Sequence, residues 1–165
     1  MKKLSIIIPI FNEERNIPIL IKRIKNLKLK YEYDITFIND GSTDNSWNII
    51  KQLNNEENTI KGISFSRNFG HQIALTAGVD NSHSDILIMM DGDLQHPPEY
   101  IPHMIKKYEE GYDVVQMIKK SQGKRNLLQK LSSFMFYKIF RKISGVKISS
   151  HISDYRLISK KVISQ

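Results

Sequence analysis

From Asp85 to Tyr100 the sequence reads DILIMMDGDLQHPPEY, an apolar run that stops abruptly at Asp91, Gly92 and Asp93 and continues through Leu94 and Gln95 to a Pro-Pro pair. Alternate side chains of an extended segment point to one side, so Asp91, Asp93 and Gln95 share a face wherever that geometry persists past the run. Two carboxylates and an amide oxygen make a hard donor set. It suits Mg²⁺ or Mn²⁺, whose remaining positions are open to water and diphosphate oxygens. Gly92 permits a turn and the close approach of a ligand. The competing use of the two aspartates is to cap the helix that follows, and an isolated D-x-D does not separate the two.

Three further clusters of the same character do. Asn12-Glu13, Asn39-Asp40-Gly41-Ser42 and Arg67-Asn68-Phe69-Gly70-His71 each follow a segment that reads as a strand. LSIIIPI (residues 4–10) is a continuous apolar run, as expected of a strand covered on both faces. DITFIND (34–40), the alternating segment 60–66, the run after Ser84-Asp85 and YDVVQMI (112–118) supply four more.

Helical patterns lie between them. Ile17, Leu20, Ile21, Ile24 and Leu27 recur at helical spacing, with Asn16 and Pro18 near the start. Ser42, Thr43 or Asp44 can cap a helix that carries Trp47, Ile50 and Leu53. HQIALTAGVD follows Gly70, and Pro97-Pro98 opens a helix that runs to about Glu110. Strands alternating with helices predict βαβ units, hence an α/β fold with a mainly parallel sheet flanked by helices. Open sheets of this kind bind ligands outside the carboxyl ends of their strands. The four clusters therefore converge on one rim, where acids, amides, a hydroxyl, an arginine and glycine turns can hold a nucleotide with its counter-ion.

The chain of 165 residues, 40% hydrophobic and 25% charged, is ordinary globular material and is expected to form one domain over 1–165. It has no cysteine, which excludes a disulfide framework, a thiolate nucleophile and thiolate zinc sites. The opening MKKLSIIIPIFNEE resembles a signal peptide only superficially: Pro9 interrupts the apolar run, Asn12-Glu13-Glu14 follow at once, and no small-residue cleavage site is present. No stretch approaches the ~20 apolar residues of a membrane span.

The net charge of +8 is concentrated in one place. Between Asp113 and Asp154 stand nine basic residues, Lys119, Lys120, Lys124 and Arg125 among them, and no acid, leaving 16 basic and 17 acidic residues elsewhere. So one-sided a block favours a polyanionic partner: anionic lipid, phosphate or nucleic acid. From Asn126 to Ser144, leucines, phenylalanines and isoleucines occupy more of a helical circumference than one core-facing stripe needs, with lysines between them. That pattern is consistent with a helix packed on the domain on one side and resting on a membrane surface on the other; core packing with snorkelling lysines is the alternative.

Taken in order, PIFNEE, NDGSTDNS, SRNFGHQIALTAG, MDGDLQHPPE and DYRLISKKV resemble the successive motifs of family 2 glycosyltransferases, most of all the polyprenyl-phosphate branch that includes dolichyl-phosphate mannose synthase and bacterial undecaprenyl-phosphate sugar transferases. The resemblance implies the GT-A-type (Rossmann-like) nucleotide-sugar transferase fold, a UDP- or GDP-sugar donor, a divalent metal and inversion at the anomeric carbon. By position, Pro9, Phe11, Asn12 and Glu13 are expected to line the nucleoside end and Asp40 to hydrogen-bond the base, with Ser42 beside it. The family often has aspartate at position 39, where this chain has Asn39. Arg67 and the Gly70-His71 turn are placed near the nucleotide, Asp91, Asp93 and Gln95 at the metal and diphosphate.

Asp154 takes a position often assigned a catalytic role, as a base or as the residue that orients Arg156. A polyprenyl phosphate, with a second pKa near ~6, is already largely anionic at neutral pH and needs cationic positioning more than a base. Arg156 and Lys119, Lys120, Lys124 and Arg125 are the expected cations, since guanidinium suits bidentate phosphate recognition. The same resemblance implies a cytoplasmic protein, peripheral at the inner face of the cell membrane, with no nucleic-acid partner. Related chains generally continue into further catalytic-domain chain and, in many members, membrane helices, so 1–165 is expected to be a C-terminally truncated catalytic domain.

Three other readings account for part of the sequence. The same chemistry could act on a soluble saccharide. A phosphohydrolase could use Asp91 and Asp93 as nucleophile and acid, although that D-x-D type usually stands on the first strand. A non-catalytic basic module would explain the charge but not the strand-end motifs.

Overall fold

The continuous apolar run predicted for a doubly covered strand becomes the middle of a sheet. In the computed structural model, which describes residues 2–118 and 152–163, β1 (Lys3–Ile10) is buried at every position from Leu4 to Ile10. It lies between β2 (Glu32–Asn39) and β4 (Ile86–Met89), parallel to both, and β3 (Ile60–Ser64) continues parallel to β2. Ile7 points into an apolar cluster with Ile38, Leu87 and Met89 of the sheet and Ala74 and Leu75 of the helix α3 (His71–Asp80). Ile6 and Ile8, on the opposite face, are equally inaccessible, so both faces of the sheet are covered.

The other helices follow their periodicities. α1 (Asn16–Asn26) buries Ile17, Leu20, Ile21 and Ile24, the i, i+3, i+4, i+7 stripe read from the sequence. α2 (Ser46–Glu56) buries Ser46 and Ile50, and a 3₁₀ turn at Pro98–Tyr100 leads into α4 (Ile101–Glu109), which buries Ile101, Met104 and Ile105.

One strand was not among those expected. After β5 (Val114–Ile118), the segment Ile152–Ser159 forms β6, which pairs antiparallel with β4 from Ile86↔Ser159 to Met89↔Arg156 and gives the order β3-β2-β1-β4-β6-β5. The sheet is therefore mixed, parallel on one side of β4 and antiparallel on the other. Asp154 and Arg156 interrupt the hydrophobic pattern of this strand, and its partner is remote in sequence, so no local signal announces it. A short helix, α5 (Lys160–Ile163), follows, where the sequence predicts a helix to open.

The chain divides into two compact units, Met1–Gln116 with Asp154–Gln165, and Met117–Ser153. The site described below belongs to the first. Lys119, Lys120, Lys124, Arg125 and the amphipathic segment 126–144 lie outside the described residues. Among the described residues no helix is long and apolar enough to cross a membrane.

Candidate active site

The loops after β1 and β2 are sewn together by short polar side chains. Asn12, at φ 57°, accepts hydrogen bonds on Oδ1 from the Thr43 amide at 2.8 Å and the Thr43 hydroxyl at 3.3 Å. In return the amides of Asn12 and Glu13 donate to the hydroxyls of Ser42 (3.0 Å) and Ser46 (2.9 Å). The Glu14 amide donates to Asp44, whose other oxygen accepts from the Ser46 amide. Burial pushes the Asp44 carboxyl up, but the hydrogen bonds from Ser46 and from the Glu14 amide outweigh it and hold the group below its usual range.

Asn39 and Asp40 at the end of β2 are both buried. The Asn39 amide donates to the Ser64 hydroxyl at 2.8 Å and accepts from the Ser42 amide at 3.1 Å, using both ends of the side chain inside the fold. Asp40 accepts the backbone N–H of Phe69 at 2.7 Å and of Gly70 at 3.0 Å, one on each oxygen. It thereby latches the loop after β3 against the end of β2.

Gly41 makes that latch possible. It sits at φ 68°, and a Cβ there would run into the Arg67 carbonyl carbon and lie 2.5 Å from the Asn68 nitrogen. Gly41→Ala combines left-handed strain with a backbone clash and is expected to destabilise the fold by roughly 2–4 kcal/mol. Urea denaturation checks this, and a loss below about 1 kcal/mol would mean that the loop yields freely.

These loops enclose a cavity of about 470 Å³ at the carboxyl ends of the strands. Pro9, Phe11, Glu13, Asp40, Asn68 and Gly70 line the half over β1, β2 and β3, and His71, Asp91, Gly92, Asp93 and Asp154 the half over β4 and β6. Asp91 and Asp93 reach the same cavity, as expected. Gln95 does not join them: the chain turns at Leu94 (φ 63°), the Gln95 amide donates to Asp93 Oδ1 at 2.9 Å, and Gln95 is exposed. The extended alternation that would have aligned all three ends with the strand at Met89.

Asn12 and Ser42 also stand off the lining, because the stitching between loops engages their polar atoms. Arg67 lies with its guanidinium 4.8 Å over the Phe69 ring, and its neighbour Asn68 faces the cavity instead.

The β4 half is built around His71, the first residue of α3. Its Nε2 lies 3.3 Å from Asp91 Oδ1 and 3.4 Å from Asp154 Oδ2. Asp91 Oδ2 is 3.0 Å from Nδ1 of the buried His96, whose ring stacks on Tyr155 at 5.3 Å. The Tyr155 hydroxyl donates to the Pro97 carbonyl at 3.1 Å, and burial raises its pKa well above the ordinary phenol value. Asp154 accepts from Arg156 Nη2 on one oxygen at 2.9 Å and from Gln72 Nε2 on the other at 3.1 Å. The sequence named Asn68 only as a member of a strand-end cluster and gave no role to Gln72, His96 or Tyr155; the signal that could have found these three is their place inside the motifs SRNFGHQIALTAG, MDGDLQHPPE and DYRLISKKV.

The electrostatics of the cavity point to its counter-ion. Glu13, Asp40, Asp91, Asp93 and Asp154 contribute five carboxylates, and no lysine or arginine lines it among the described residues. A diphosphate would meet like charge there, so a divalent cation fits the donor set. Among the described residues no three His, Cys, Asp or Glu side chains close into a ready-made metal cage.

Comparison with known proteins agrees with this geometry. The Glycosyl transferase family 2 profile matches residues 5–165. The chain is 41% identical over 163 residues to a prophage bactoprenol glucosyl transferase homolog of Escherichia coli K12, covering 98% of this chain and 53% of that protein. It is 40% identical, with the same coverage, to the bactoprenol glucosyl transferase of Shigella phage SfV. The chain thus spans about half the length of these curated relatives. In structure it resembles glucosyl-3-phosphoglycerate synthase from Mycobacterium tuberculosis, solved with Mn²⁺, UDP-glucose and phosphoglyceric acid: TM-score 0.70, 16% identity, 98% of this chain and 57% of the other. The fold is of the GT-A type. With the strand-end motifs in order and the profile matched almost end to end, the chain belongs to glycosyl transferase family 2.

Proposed function

We propose that this domain transfers a sugar, with inversion, from a UDP- or GDP-sugar to a polyprenyl phosphate at an anionic membrane surface, with Mg²⁺ or Mn²⁺ as cofactor. The observation that carries the reading is the cavity itself: five carboxylates without a lining cation among the described residues, at the rim where an α/β sheet binds nucleotides. Asp91 and Asp93 would hold the ion, with Gln95 reaching it only if its loop turns inward. When bound, the ion supplies the positive charge that stabilises a departing nucleoside diphosphate.

The chain's own residues do the rest. Pro9, Phe11 and Glu13 wall the nucleoside end, with Asn12 and Ser42 acting through the loop they brace. Asp40 has lone pairs left for the base beyond those engaged by Phe69 and Gly70. The first turn of α3 opens on the cavity behind the glycine cap Gly70, an arrangement that favours phosphate oxygens. Arg67 would approach the nucleotide from the rim beside Asn68.

Two observations favour a phosphorylated acceptor. Curated relatives at about 40% identity are named bactoprenol glucosyl transferases. Arg156, paired with Asp154 through Nη2, stands next to the cavity-lining Asp154, and a guanidinium suits bidentate phosphate recognition. In this reading Asp154 holds Arg156 toward the acceptor, and Lys119, Lys120, Lys124 and Arg125 keep the domain at the inner face of the membrane.

The test is a panel of UDP- and GDP-sugars with Mn²⁺ or chelator, with undecaprenyl phosphate as acceptor. Glucose transfer from UDP-glucose that requires the cation is the expected result. Arg156→Ala should lower transfer about tenfold or more while donor affinity stays within about twofold, because it removes an acceptor contact and one of the two holds on Asp154 while leaving the nucleoside end of the cavity intact. Absence of cation-dependent nucleotide binding would refute the donor site, and transfer to a saccharide alone would move the acceptor to the soluble class.

A further inference from the structure

Gln72 has no part in the reading so far, yet it makes a contact that an exposed helical glutamine has no local reason to make. Its Nε2 donates to Asp154 Oδ2 at 3.1 Å across 82 residues of sequence. We propose that Gln72 is a positioning residue for the transfer reaction: from the first turn of α3 it holds the Asp154 carboxylate in the orientation that Arg156 sets from the other side. The proposal rests on the transferase reading above.

Three features of the geometry support it. The first is that Asp154 needs holding. On the β4 edge the pairing begins at Met89↔Arg156, so Asp154 stands beyond that ladder, although it lies within β6, whose other edge faces β5. Strand pairing fixes backbone, not the rotation of a carboxylate, and that rotation is set by side-chain bonds. Arg156 Nη2 takes Oδ1 at 2.9 Å and Gln72 takes Oδ2, so the carboxylate plane is gripped at both oxygens. Both bonds are charge-assisted, which makes them stronger than neutral ones.

The second is that His71 does not do the same work. It is shared, at 3.3 Å from Asp91 and 3.4 Å from Asp154, whereas the Gln72 side chain makes its bond to Asp154 alone among those described. The third is that the anchor behind Gln72 is firm. α3 is capped by Gly70, whose N–H is bound by the buried Asp40 at 3.0 Å. A continuous path of hydrogen bonds and backbone thus runs from Asp40 at the nucleoside end, through Gly70 and Gln72, to Asp154 at the acceptor end. Gln72 is its last link.

The experiment separates this role from packing. Gln72→Met keeps the length and helix preference of the side chain but removes the donor; Gln72→Lys keeps a donor. With UDP-glucose, Mn²⁺ and undecaprenyl phosphate, Gln72→Met should lose about tenfold in kcat with the donor KM within about twofold, and Gln72→Lys should stay within about threefold of wild type. A merely structural role would not split kcat from KM or be rescued by lysine. Gln72→Met with wild-type kcat would overturn the proposal.

A second measurement needs no activity. In Gln72→Glu a carboxylate faces Asp154, and the melting midpoint should fall by about 2 °C and recover when Asp154→Asn is added. Additive effects of the two changes would show that the side chains do not meet, and would overturn the proposal equally. A wild-type chain that transfers from no sugar nucleotide would refute the transferase reading and this role with it, while the melting cycle would still report whether the contact exists.

Discussion

Asp93→Asn is expected to make the affinity for UDP in Mn²⁺ fall to the value seen with chelator, and to lower sugar transfer by roughly a hundredfold or more, the usual scale for losing one preorganised electrostatic contact to a developing charge. The substitution is well chosen because it spares the loop. Asp93 Oδ1 accepts the Gln95 amide, and asparagine keeps that acceptor, so the melting temperature should not move. What changes is one negative charge in a cavity whose lining holds five carboxylates. Without a cation, removing a carboxylate would relieve repulsion and tighten nucleotide binding; with one, it weakens it. Titration of UDP with and without Mn²⁺ on both proteins distinguishes the two, and equal affinities in all four measurements would remove Asp93 from the metal site.

Asp40→Ala should be damaging in a second way. Asp40 lies buried at the end of β2 with the Phe69 and Gly70 amides on its two oxygens. Alanine leaves both donors without an acceptor, at about 1–3 kcal/mol each, so a loss of roughly 2–4 kcal/mol is expected in urea denaturation. The same two bonds place Asn68, Gly70 and His71 on the cavity wall. Affinity should therefore fall by about tenfold or more even for inorganic diphosphate, and further for UDP, which also loses the contact to its base. A residue that only read the base would weaken UDP, spare diphosphate and leave stability alone. Calorimetry with both ligands on the variant decides between them, and an Asp40→Ala protein of wild-type stability would show that the latch carries no weight.

The difference between those two expectations is typical of how far the sequence reaches. Runs such as Leu4–Ile10 and the stripe Ile17, Leu20, Ile21 and Ile24 are local patterns. Their periodicity states which faces are buried whatever surrounds them, and the structure places them accordingly. From that alternation the α/β order followed, and from the order came the rim. Pro9, Phe11, Glu13, Asp40, Gly70, His71, Asp91, Asp93 and Asp154 all meet at one cavity. What the sequence by itself determined was the class of chemistry, acids and glycine turns at strand ends, because strand ends are legible from where apolar runs stop.

Which of those polar residues face a ligand was decided only by the tertiary structure. A hydrogen-bonding side chain goes to the best partner within reach, and the sequence does not say who is within reach. Asn12 found the Thr43 amide, Ser42 the Asn12 amide, and Arg67 the Phe69 ring, while Asn68 took the wall. A left-handed turn at Leu94 carried Gln95 away from its aspartates, a choice of one dihedral that alternation could not foresee. The strand β6 shows the same limit on a larger scale. Its central residues Asp154 and Arg156 are charged and spoil the local hydrophobic pattern, so the segment becomes a strand only when β4 offers it a ladder. Burial preferences are written into a chain residue by residue; partners are chosen in three dimensions, by the competition among polar groups that folding brings together.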